Sequence, residues 1–94
     1  MFDITIQNGN QVFLTGRFDA AQIEKADKVL DAIDSNCVID FKEIVYISSA
    51  GLGSLLKVYA RINPKGNTIK LINMNNHVRE VFQYSGLHKV FIIE

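Results

Sequence analysis

The chain has 94 residues, 48% apolar and 21% charged, and its ten basic groups equal its ten acidic ones. That length suffices for one domain with a genuine core, and balanced charge argues against a surface built for nucleic acid. No apolar run approaches the roughly 18 residues that span a bilayer, and MFDITIQNGN lacks the flanks of a signal peptide, so a cytoplasmic single domain, residues 1–94, with no direct membrane insertion is expected.

Phe2, Ile4 and Ile6 alternate with Asp3, Thr5 and Gln7, then Asn8-Gly9-Asn10 precedes QVFLTG, which reads as a hairpin of two strands. In RFDAAQIEKADKVLDAIDSN the apolar residues Ile23, Ala26, Leu30 and Ile33 recur at helical spacing. Asp19 is placed to cap this helix, with Gln22 at the capping-box position. CVIDF, 37–41, is a short buried strand interrupted by Asp40. The segment 44–62, IVYISSAGLGSLLKVYARI, reads as an apolar helix with two serines, an alanine and two glycines in its first turn, ended by Pro64-Lys65-Gly66-Asn67. TIKLIN reads as a strand, NNHVREVFQYSG as a short helix capped by asparagine and stopped at Gly86, and VFIIE as a last strand. The order β-β-α-β-α-β-α-β predicts an α/β fold with a mixed, mostly parallel sheet whose antiparallel edge is the first hairpin.

Few residues carry recognisable chemistry. Cys37 has no CxxC partner and reads as a buried structural thiol. His77 and His88 have no ligand spacing, so no metal and no cofactor is expected. Gly51-Leu52-Gly53 fails as a dinucleotide fingerprint because Leu56 stands where the third glycine belongs, and neither GxxxxGK[ST] nor GxSxG occurs. Nothing in the spacing joins a serine to His77 and an aspartate, so an enzyme is not expected. Ser48 and Ser49 fit helix capping. The same amides and helix dipole favour a phosphate on a serine there, adding roughly 1.5 to 2 negative charges, and Gly51 and Gly53 are expected to keep the neighbouring surface low for a protein partner.

LTGRFDAA, CVIDFKEIVYISSAGLGSLLKVY and GLHKVFII follow one another in an order that resembles STAS domains, and the whole chain resembles a bacterial anti-sigma factor antagonist. The resemblance is most specific from Tyr46 to Leu56. It implies that Ser49 is the phosphoacceptor, with Ser48, where the family commonly has aspartate, as an alternative. It implies a partner face of Asp19, Ser48, Ser49, Ala50, Gly51, Leu52 and Gly53, supported by Asp40 holding the loop after the central strand. It further implies a partner switch: the unphosphorylated protein binds an anti-sigma factor of the serine-kinase type, phosphorylation releases it, and a PP2C-type phosphatase resets it. The alternative is a non-switching STAS subunit of a lipid or anion transport complex.

Overall fold

A computed structural model describes residues 1–94. Strands β1 (Asp3–Gln7) and β2 (Gln11–Phe18) pair antiparallel, with Ile4 opposite Leu14 and Ile6 opposite Val12, which collects these side chains on one face. The connecting turn holds Asn8 and Gly9 at φ 56° and 76°, the left-handed pair that matches strand twist in a tight hairpin. Strands β3 (Cys37–Ile47), β4 (Ile69–Ile72) and β5 (Ile92–Ile93) follow in parallel, giving the sheet order β1-β2-β3-β4-β5. The crossovers are helices α1 (Ile23–Leu30), α2 (Ser49–Ile62) and α3 (Asn76–Tyr84).

Each parallel step moves to the next strand in the same direction, so crossovers of one hand place the helices on one face of the sheet. There Val12, Leu14, Phe18, Ile39, Phe41, Ile69 and Leu71 form one continuous core with Ala26 and Leu30 of α1, Leu55, Val58 and Ile62 of α2, and Val78 and Phe82 of α3. The opposite face carries Phe13, Asp40 and Ile72 in one register row, each half-buried. At roughly 25 cal/mol per Å² of apolar area, the one-sided core supplies the main driving force for folding.

Two expectations about β3 change. The strand does not stop at Phe41, and Ile44–Ile47 continues it instead of opening a helix. The β-branched and aromatic run Ile44, Val45, Tyr46, Ile47 suits a pleated surface. Lys42 and Glu43 do not end the strand because β3 bulges. Phe13 pairs with Asp40 but Thr15 with Glu43, and Gly16 pairs with Ile44 but Arg17 with Tyr46, so β3 inserts one extra residue at each step. The last strand is also shorter than VFIIE suggested, since Phe91 packs edge-on against Tyr59 and Phe82.

Side chains fasten the helix ends. Arg61 of α2 donates to the carbonyls of Leu30 (3.0 Å) and Ile33 (2.6 Å), fastening the last residue of α1 and the turn that follows it. Asn75 caps α3 by accepting from Val78 N–H at 2.8 Å, and its amide donates to Ile44 O at 3.1 Å, tying the helix to the projecting end of β3.

Candidate functional site

Strands β2 and β3 end side by side. Phe18 pairs with Ile47, and Ser48 N–H donates to Phe18 O at 3.0 Å. The next residue of each chain segment, Asp19 and Ser48, turns a strand into a helix. Asp19 (φ −118°, ψ −175°) accepts from Ala21 N–H at 3.1 Å and starts a single 3-10 turn, Ala20–Gln22, that leads into α1. Gln22 makes no side-chain cap bond, so the reciprocal half of the expected capping box is not formed. Ser48 (φ −96°, ψ 173°) is the cap of α2: its Oγ accepts from Gly51 N–H at 3.4 Å and its carbonyl accepts from Leu52 N–H at 3.0 Å.

Capping therefore engages Ser48 and leaves Ser49 free. Ser49 is the first residue of α2, is exposed, and its hydroxyl makes no hydrogen bond within the chain. The first turn of α2 contains no acidic residue, so the positive end of its dipole is not offset there by its own side chains. No side-chain base touches either hydroxyl, and no three histidine, cysteine or acidic groups converge as a metal site. What this turn presents is an accessible hydroxyl at a helix start.

The two glycines after it differ. A methyl group on Gly51 would stand 2.8 Å from Phe18 O and 2.9 Å from Ile47 Cγ1, so Gly51 is buried where α2 approaches the ends of β2 and β3. The expectation that it keeps the outer surface low is corrected to a close backbone approach. Gly53 is partly exposed with open space above it, as a low surface requires. Leu52 is only 6% exposed and packs inward, while Ala50 is partly exposed.

Asp40 lies elsewhere. Its register partner Phe13 precedes Phe18 by five residues, which puts Asp40 about 16 Å down the sheet from the turn at Ser48 and Ser49. Its carboxylate accepts from Lys42 N–H at 2.8 Å and from the Asn73 amide at 3.1 Å. It does hold a following backbone amide, that of Lys42, and the segment it holds is the first bulge of β3 instead of a loop.

Sequence reasoning passed over three residues beside the turn. The Arg17 guanidinium carbon lies 4.5 Å from the centre of the Tyr46 ring, and the same ring stacks with His77 at 6.4 Å and 30°. The period of two held the signal: Arg17 precedes Asp19 by two residues and Tyr46 precedes Ser48 by two, so both point to the capping residues' side of the sheet.

A family model described as "Mlab, STAS domain" matches residues 5–94. An anti-sigma factor antagonist candidate of Bordetella bronchiseptica, BtrV, is 35% identical over 72 residues, covering 77% of this chain and 56% of BtrV. The chain thus spans little more than half the length of that curated relative. Among solved structures, an anti-sigma factor antagonist from Mycobacterium paratuberculosis superposes with a TM-score of 0.82 at 18% identity, over 99% of this chain and 83% of the other. The Bacillus cell fate determinant SpoIIAA in its phosphorylated form superposes with a TM-score of 0.70 at 19% identity, over 100% and 91%. These two likenesses reproduce the fold, and the family match extends over nearly every residue: the chain belongs to the STAS domain family.

Proposed function

We propose that this chain, acting as a single domain, is an anti-sigma factor antagonist that works by partner switching. Unphosphorylated, it binds an anti-sigma factor of the serine-kinase type through the surface around Asp19, Ala50 and Gly53, with Gly51 and Leu52 holding that surface from beneath. The kinase transfers the γ-phosphoryl group of ATP to Ser49 Oγ; an O–P bond forms there, the bond to ADP breaks, and the hydroxyl proton passes to the kinase. A PP2C-type phosphatase returns the serine and inorganic phosphate. ATP and magnesium belong to the partner, so this chain is a substrate and binding module and needs no catalytic residue.

The observation that carries the reading is the division of labour between two adjacent serines: Ser48 is engaged as the cap and Ser49 is exposed and unbonded. The kinship with BtrV and the likeness to phosphorylated SpoIIAA support it. A phosphate at Ser49 would put charge inside the contact and impose a desolvation cost on the bound state.

Incubation with the cognate kinase and ATP, followed by peptide mass spectrometry, is expected to place the phosphate on Ser49. By titration calorimetry Ser49→Ala retains the kinase partner and Ser49→Asp weakens binding about tenfold or more, roughly 1.4 kcal/mol. Equal affinities would contradict the charge mechanism. Recovery of an ATPase complex with no phosphoserine on this chain would move it to the alternative, a non-switching subunit of a transport complex.

A further inference from the structure

Of the ten lysines and arginines, Lys25, Lys28, Lys57, Arg61 and Lys70 each face a carboxylate, whereas Arg17, Lys42, Lys65, Arg79 and Lys89 have none within ion-pair distance. Among these five, Arg17 alone lies over an aromatic ring. Its recorded contact is the Tyr46 ring, which His77 packs against in turn. Asp19, two residues on, accepts from Ala21 N–H and forms no ion pair with Arg17. A guanidinium laid on an aromatic ring loses little freedom on binding an anion, and it keeps a planar fork of donors suited to phosphate.

Its position relative to Ser49 follows from the register. Arg17 pairs with Tyr46, and Tyr46 precedes Ser49 by three residues, at most about 10 Å of extended chain. Tyr46 and Ser48 point to the same side of β3, so the stack and the acceptor turn share one surface at the carboxyl ends of adjacent strands. Ser49 follows Ser48 directly, is exposed and makes no hydrogen bond within the chain, so its side chain is free to turn toward that surface.

We propose that Arg17, held on Tyr46, receives the phosphate of phosphorylated Ser49 within the same chain. The modified serine folds back toward the guanidinium, and the cation that stands free in the unmodified protein becomes neutralised in the modified one. Phosphorylation then changes two features of the partner surface together: it adds an anion at Ser49 and removes an available cation at Arg17. The inference rests on the reading of Ser49 as the acceptor.

The test needs no kinase. Phosphoserine is incorporated at position 49 during synthesis of the full chain, and its ionisation is followed by phosphorus NMR against pH. A free phosphoserine has its second pKa near 6, and a close guanidinium favours the dianion and lowers the midpoint. The wild-type midpoint is expected about half a pH unit or more below that of Arg17→Gln, with Arg17→Lys in between. Tyr46→Phe, which keeps the ring, is expected to retain the wild-type midpoint. Lys65→Gln, which removes a charge beyond the other end of α2, controls for net charge and is expected to leave the midpoint unchanged. Coincident midpoints for wild type and Arg17→Gln overturn the proposal, as does an equal rise in Lys65→Gln. Absence of kinase-driven phosphate on Ser49 alongside a lowered wild-type midpoint would instead sink the switching function and leave the clamp standing.

Discussion

Two residues apart in the first turns of α2, Gly51 and Gly53 face opposite energetic situations. Alanine gains about 1 kcal/mol over glycine in a helix interior. At Gly53, where a methyl group meets nothing within 4 Å, most of that gain should survive, and Gly53→Ala is expected to raise stability by about 0.5 to 1 kcal/mol in urea unfolding. At Gly51 the methyl group would meet a carbonyl of the backbone, which cannot rotate away as a side chain does. Overpacking of this kind costs about 1 to 3 kcal/mol, so Gly51→Ala is expected to lose about 1 kcal/mol or more net. Equal effects of the two changes would refute the close-approach account.

At the scale of elements, the attachment of α1 to α2 depends on Arg61. Its guanidinium serves two carbonyls at the end of α1 and lies 3.7 Å from the Asp31 carboxylate, and a charged donor to a partly buried acceptor is worth about 1.5 to 3 kcal/mol. Arg61→Ala is expected to lower the Tm by on the order of 10 °C for a chain of this size, with Arg61→Lys intermediate because one ammonium cannot reproduce the fork. Local signals made most elements legible: Asn8-Gly9 for the hairpin, Ile23, Ala26 and Leu30 for α1, Asn75 and Gly86 for the limits of α3. The length of β3 was not legible, because the polar pair Lys42-Glu43 ends an alternating pattern and only pairing with β2 turns that break into bulges. The site divides the same way. Asp19 and Ser48 follow from local capping chemistry and Ser49 from the motif resemblance, whereas the burial of Gly51, the remoteness of Asp40 and the stack of Arg17 on Tyr46 follow from strand pairing.

Over the whole molecule, Cys37 reports how tightly the one-sided core is closed. It is 3% exposed at the start of β3, and burial pushes its thiol up to about 11 from the ordinary 9.0, against an opposing pull from the Arg61 charge. The folded state therefore holds this proton more tightly than the unfolded state. The associated stability is fully present below about pH 9 and is lost as pH rises through about 11. Cys37→Ser or Cys37→Ala should flatten part of that alkaline decline in urea titrations. In native buffer at pH 8 the thiol is expected to react with a disulfide reagent only through opening, at a rate that rises with urea; immediate reaction would contradict the packing.

The contact beneath Gly51 has a wider meaning. With Phe18 O and Ile47 Cγ1 where its side chain would be, the start of α2 has no clearance to slide or roll toward the sheet. A change on the outer side of that turn is therefore expected to alter the surface the chain presents and not the packing of α2 on the sheet.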